Sequence, residues 1–395
     1  MGLRQAVEEL RLVDQHVHSV LPGPVPGPDF ERFLTESGLP GPPGTSRFDS
    51  QLGFALRRWC GPVLGLGPSA PAADYLSRRN SMTGTGPSAT LLSAAHCSQL
   101  LVDTGFAAPG SASLAELGEL SGAKVAEVVR LESVAEQLVS SAPDGGPRYH
   151  GSAAYDCSAG YDHSAAGFAA AFRELLWQRS ANAAGLKSIV AYRHGLDFAP
   201  SRPSGAEVTA AAGEWLRTVE ATGHARLTDP VLLREVLWAG VERGLPLQLH
   251  TGFGDPDLDL RRADPLLARD FLANCGAPVV LLHCYPFHRQ AAFLAHAYPN
   301  VYLDLGLALN YAGARAAAVL AEALEIAPFG QVLYSSDAYG LPELVYLGAR
   351  LWREAAVMVL GGFVEAGQWT EPDAIRIAGQ IGAANAARLY GLPLS

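Results

Sequence analysis

Two histidines two residues apart, in Leu12-Val-Asp-Gln-His16-Val-His18, close the first apolar run of the chain. Residues i and i+2 of a strand share a face, so both imidazoles aim at one point. Three later apolar runs also end in metal-ligating side chains: Leu245-Pro-Leu-Gln-Leu-His250, Pro278-Val-Val-Leu-Leu-His283 and Gln331-Val-Leu-Tyr-Ser-Ser-Asp337. Neutral imidazoles from His16, His18 and His250, with a carboxylate from Asp337, form a donor set for one divalent ion. Zn2+ suits it best, with Mn2+, Fe2+ or Ni2+ as alternatives. A zinc-type ion brings the pKa of bound water towards about 7 and polarises carbonyls, so hydrolysis follows from the set. Asp337 is suited both to touch the metal and to carry a proton from water to a leaving amine. His283 reads as a group that orients water or steadies a developing oxyanion, with direct ligation as the alternative.

Ligands at the ends of successive strands imply elements that bring those ends together. Strands are expected at Leu12 to His16, Gln99 to Asp103, Lys124 to Arg130, Leu186 to Tyr192, Leu245 to His250, Val279 to His283, Val301 to Leu305 and Val332 to Ser335, with helices between. Eight such units make a (β/α)8 TIM barrel, whose C-terminal strand ends carry the chemistry. The competing doubly wound sheet would place Gly-x-Gly-x-x-Gly after the first strand, and none is there. Between residues 20 and 86, Pro/Gly-rich stretches separate helical patterns over Asp29 to Ser37, Arg47 to Cys60 and Ala72 to Ser81. They predict a helical insertion over the mouth of a single barrel spanning 1–395. Leu341 to Leu360 would be the eighth helix, and Glu371 to Tyr390 an extra C-terminal one.

Further charged residues cluster near the expected strand ends. Arg193, whose planar fork can hold both oxygens of a substrate carboxylate, is the first candidate for substrate binding, and Arg130 could do the same. Either could instead pair with Glu132. Asp255, in the glycine-rich Gly252-Phe-Gly-Asp255 after His250, could read an amine or hydroxyl or simply cap a helix. Lys187 depends on where its strand stops: too deep to reach a metal if the strand runs to Arg193, close enough if it ends near Ile189.

Composition narrows the partners. Hydrophobic residues are 49% of the 395 and charged ones 17%, ample for a large core. Lys and Arg total 29 against 39 Asp and Glu, a net charge of −10 without basic clusters, which argues against nucleic acid or anionic membrane as partner. Five cysteines without paired spacing read as reduced thiols, and no apolar run approaches the ~18 residues of a membrane span. A cytoplasmic protein with a small-molecule substrate is expected.

Asp14-Gln-His16-Val-His18, His250, His283 and Asp337 together resemble the amidohydrolase superfamily, in its amidohydrolase 2 branch. Gly185-Leu-Lys-Ser-Ile-Val-Ala-Tyr-Arg193, His250-Thr-Gly-Phe-Gly-Asp-Pro-Asp-Leu-Asp-Leu260 and Tyr298-Pro-Asn-Val-Tyr-Leu-Asp-Leu305 are similar to the amidohydrolase-like domain of fungal FluG and of plant nodulin/glutamine-synthetase fusions. The resemblance implies a metal at the barrel's strand ends and attack of water on an amide. Non-oxidative decarboxylation of a small unsaturated or aromatic acid is the alternative, and a non-catalytic metal-binding barrel the second. Pairing with a glutamine-synthetase-like part suggests a γ-glutamyl or other carboxylate-bearing amide. Some branches bridge two metals with a carboxylated lysine on the strand that corresponds to that of Lys187, and barrels of this branch often dimerise.

Overall fold

Short runs rich in Val and Leu, three to seven residues long, cannot bury both faces alone and so pair side by side. A computed structural model describes residues 1–37, 39–140 and 164–393; His150, Cys157 and His163 lie outside the described residues. Seven strands pair in chain order, all parallel: β1 (Leu12–Val17), β2 (Cys97–Asp103), β3 (Lys124–Arg130), β4 (Gly185–Ser188), β5 (Leu247–His250), β6 (Val279–Leu282) and β7 (Val301–Leu303). Between β7 and β1 runs the segment 332–340, bonded to both. Leu333 N–H donates to Leu303 O at 2.9 Å, Gln15 N–H to Tyr334 O at 3.2 Å and His18 N–H to Ala338 O at 2.8 Å. The sheet thus curls round on itself as a TIM-type barrel.

Two strand expectations need correction. The eighth is not a regular strand: apart from a bridge between Leu303 and Val332, the segment is irregular. Its ladder breaks because Ser336 N–H is taken at 2.9 Å by the Asp14 carboxylate instead of a strand carbonyl. The fourth strand stops at Ser188, and Val190–Arg193 is a helical turn. Here the buried Glu132 carboxylate accepts from Ser188 Oγ at 2.6 Å and Ile189 N–H at 3.0 Å, removing the donor that would extend the ladder.

Inside the ring, Val13, Leu101, Val128, Val280, Leu282 and Leu333 form an apolar floor with Ala383, Ala386 and Tyr390. The last three come from the expected C-terminal helix, which runs Glu371–Gly379, passes through a π-helical stretch and continues as Asn385–Tyr390. Above the floor lies a polar layer. Gln248 Nε2 donates to Gln15 O, Gln15 Oε1 and Tyr390 OH at 2.6, 3.0 and 2.9 Å, so buried amides find partners beneath the strand-end histidines.

Helices Gly27–Arg32, Gln51–Val63 and Ala72–Ser81 fill the segment between residues 20 and 86. Ser50 caps the second, accepting from Gly53 N–H at 3.0 Å, which starts the helix four residues later than its periodicity suggests. The third is tied to the long helix Pro342–Glu365 by Arg79 and Glu343, both fully buried. No helix among the described residues is long and apolar enough to cross a membrane.

Candidate metal centre

The strand ends deliver their side chains to one place. His16 and His18 leave the end of β1, and Asp337 arrives from the closing segment, its N–H bonded to His16 O at 3.1 Å. One ligating atom from each of these three lies within 4.8 Å of the others. His16 Nε2 and His18 Nε2 stand 3.0 and 3.6 Å from Asp337 Oδ1, and His283 Nδ1 is 3.4 Å from Oδ2. His250 lines the same cavity, its ring centroid 4.7 Å from that of His283, but it is not in the close group of three.

The far side of each β1 imidazole is held. His16 Nδ1 lies 2.8 Å from Gln248 Oε1, and His18 Nδ1 is 3.1 Å from Phe106 O, so each Nδ1 carries the proton and each Nε2 presents its lone pair. Burial lowers the pKa of His16 to about 3 and of His18 to about 4, and drives His250 and His283 well below the usual range. All four are neutral at pH 7, the form that binds metal. Burial raises Asp337 to about 6, with His18 the main opposing influence.

Asp337 Oδ1, His16 Nε2, His250 Nε2 and His283 Nδ1 are buried and have no hydrogen-bond partner among the described residues. Lone pairs gathered without a donor cost several kcal/mol in total, at about 1–3 kcal/mol each. A divalent cation among His16, His18 and Asp337 would satisfy the His16 and Asp337 atoms, and two nitrogens with one carboxylate oxygen are donor types zinc-class ions take.

Two of these groups sit on a backbone that sequence patterns do not announce. His283 has φ 67° and Asp337 φ 48°, left-handed conformations that cost non-glycine residues roughly 1–3 kcal/mol and gather at functional sites. The buried Asp304 carboxylate holds the first, accepting His283 N–H at 2.7 Å while Ser335 Oγ bonds its other oxygen at 2.8 Å. Beyond His250 the chain turns at Gly252, with φ 75°, where a Cβ would lie 2.3 Å from Tyr285 O. Gly252→Ala is therefore expected to cost about 1–3 kcal/mol and to displace His250. Urea unfolding and metal affinity together check this; a variant as stable as its parent would refute it.

Sequence-expected substrate residues divide by partner. Arg130 is committed to Asp103, donating from Nη2 at 2.6 Å and Nε at 3.1 Å, and does not pair with Glu132. Arg193 bonds Glu136, not Glu132, through Nη2 at 3.0 Å, and its Nε and Nη1 are left without partners among the described residues. Lys187 and Asp255 line the cavity, Lys187 because β4 ends at Ser188. Burial lowers the Lys187 pKa to about 8. The cavity is about 320 Å³ and also takes in Glu36, Tyr192 and Tyr339, which sequence reasoning missed. Glu36 falls within the helical pattern expected over Asp29 to Ser37, but the helix ends at Arg32, so only the fold shows that Glu36 reaches the cavity.

A model of the amidohydrolase family matches residues 112–392. This chain is an amidohydrolase family member. The matched span of the amidohydrolase holds His250, His283 and Asp337, with His16 and His18 preceding it. A Lactobacillus casei protein described as a candidate metal-dependent hydrolase is 27% identical with a TM-score of 0.77, over 99% of this chain and 97% of that one. FluG of Emericella nidulans is 32% identical over 292 residues, 67% of this chain but 32% of FluG, so the amidohydrolase chain spans about a third of that curated relative. A uronate isomerase of Bacillus halodurans shares the fold at 13% identity and TM-score 0.63, over 99% of this chain and 96% of that one.

Proposed function

We propose that this amidohydrolase is a metal-dependent enzyme that hydrolyses a small, carboxylate-bearing amide, a γ-glutamyl amide being one such. The observation that carries the reading is the convergence of four buried, donor-less lone-pair atoms, from His16, His250, His283 and Asp337, on the floor of a cavity that also exposes Arg193. His16, His18 and Asp337 would hold one divalent metal, most simply zinc, with His250 as a further ligand. That ion supplies Lewis acidity, polarising the amide carbonyl and acidifying the attacking water.

The chain's own groups complete the chemistry. Asp337 takes a proton from the attacking water and passes it to the leaving nitrogen, its Oδ2 lying beside His283 while Oδ1 faces His16 and His18. His283 stands 3.4 Å from Asp337 Oδ2 and steadies charge that develops on the carbonyl oxygen. Arg193 offers its unpaired Nη1 to the substrate carboxylate, a charge-assisted hydrogen bond from a guanidinium already anchored to Glu136 through Nη2.

Protein purified without chelator, from medium supplemented with zinc and manganese, is expected to carry about one equivalent of metal per chain by elemental analysis. It should release amine from members of a carboxylate-bearing amide panel. About two equivalents would bring a carboxylated Lys187 to the centre. Release of CO2 without amine would replace hydrolysis by decarboxylation, and absence of metal would remove the enzyme reading.

A further inference from the structure

The cavity wall carries charged groups of both signs, and two of its acidic ones, Glu36 and Asp255, take no part in the hydrolysis step. Among the cations is Arg193, whose side chain is 10% exposed and whose Nε and Nη1 have no partner among the described residues. Arg226 joins it in the lining, paired with Asp257 at 3.1 Å. Of the two acidic groups, Glu36 is brought in by the insertion and Asp255 comes from the loop after β5. Neither carboxyl is ion-paired among the described residues. Glu36 Oε1 accepts from Tyr311 OH at 2.9 Å, and Asp255 Oδ1 accepts from Asp257 N–H at 2.9 Å.

Two unpaired carboxyl groups that repel each other in one wall are an electrostatic cost that a bound cation removes. Their surroundings suit a cation as well. Tyr192, Tyr311 and Tyr339 all feel the charge of Glu36, and aromatic faces add attraction for an ammonium group. The tyrosines stay neutral there, since burial raises each of them.

We propose that Glu36 and Asp255 receive the ammonium group of a substrate whose carboxylate lies on Arg193, which makes the substrate class small zwitterionic amides, that is, amino acids or short peptides carrying the scissile bond. The amide and the carboxylate on Arg193 rest on the hydrolase reading above; the ammonium site at Glu36 and Asp255 does not. Burial first, then the charges of Asp337 and Asp255, raise Glu36 to about 7 against the Tyr311 hydrogen bond. A bound ammonium favours the ionised form, so ligand capture near pH 7 releases a proton, and affinity falls as pH drops below that value. The charged and titratable groups around Glu36 are Asp255, Asp337, Tyr192, Tyr311 and Tyr339.

The test uses the metal-loaded full chain and pairs of amides that differ only in the ammonium group: L-glutamine with glutaramate, L-asparagine with succinamate, and alanylglycine with propionylglycine. For the pair that reacts, kcat/KM is expected to favour the amino member by about tenfold or more, the scale of one well-placed charged hydrogen bond. Glu36→Gln, and separately Asp255→Asn, should bring that ratio towards one, with metal content and circular dichroism as checks on folding. Calorimetry at pH 7, in two buffers of different ionisation enthalpy, should show proton release when the amino member binds wild type and none with Glu36→Gln. Equal or faster turnover of the des-amino members, with the ratio unmoved by Glu36→Gln, overturns the zwitterion class and leaves the hydrolase reading standing. Amino members that neither bind nor react overturn it as well; turnover of the des-amino amides then decides the hydrolase reading separately.

Discussion

Asp337→Asn is expected to lower amide turnover by about a thousandfold or more while the barrel remains folded, because the substitution removes both a ligand charge and the proton carrier. Asn keeps the shape but cannot accept a proton, and its uncharged oxygen is a weaker partner for a divalent ion. The metal-free fold should not suffer. The Asp337 carboxyl is buried among imidazoles that are neutral, and burial pushes its pKa up to about 6, so its charge in the absence of metal opposes folding. The expected signature is therefore a split: metal content and kcat fall, whereas the urea midpoint of chelator-treated protein holds or rises. Unchanged turnover would show that the proton moves through another group. A collapsed midpoint would show that Asp337 serves chiefly to hold the segment 332–340 against β1.

Arg79→Met is expected to destabilise the protein by about 3–5 kcal/mol, the cost of leaving one member of a buried ion pair without its partner. Arg79 Nε donates to Glu343 Oε1 at 2.5 Å and Nη2 to Oε2 at 3.4 Å, with both side chains 0% exposed. Tyr75 OH adds a bond to Glu343 Oε1 at 3.1 Å, and the guanidinium lies 5.4 Å from the Phe30 ring centroid. The pair joins two helices 264 residues apart in sequence and fixes the insertion that carries Glu36. Replacing both members, as Arg79→Met with Glu343→Met, should recover most of the loss, since well-packed apolar groups often match a buried pair in stability. Denaturant unfolding of the two variants settles the matter. A single variant within about 1 kcal/mol of wild type would mean that water reaches Glu343 once Arg79 is gone.

The ligand-bearing strand ends were legible because period-two alternation is local: His16 and His18 share a face whatever the rest of the chain does. Val279 to Leu282 and Leu247 to His250 were legible for the same reason, as apolar runs that only a buried parallel sheet can accommodate. The fourth strand was misjudged by four residues because its terminator, Glu132, lies 57 positions away from the Ile189 N–H it captures. The closing segment was misjudged because a β1 side chain, Asp14, takes the donor that a regular strand would have used.

The pairing of the charged residues was hidden for a like reason. Arg130 and Arg193 were recognisable as cavity candidates, but Asp103 occupies one and Glu136 only part of the other, a difference set by side chains on other strands and helices. Glu36 belonged to a helical pattern over Asp29 to Ser37, yet the helix stops at Arg32 and the chain beyond it turns into the cavity.

The sequence by itself determined the fold class and pointed to His16, His18 and Asp337 as a candidate metal group, because hydrophobic periodicity and residue chemistry are properties of short stretches. Only the tertiary structure decided which lone pairs meet, which arginine stays available and which loop carboxyl enters the cavity. Those outcomes depend on distances between atoms far apart in the chain, and a hydrogen bond or ion pair is lost over an ångström or two.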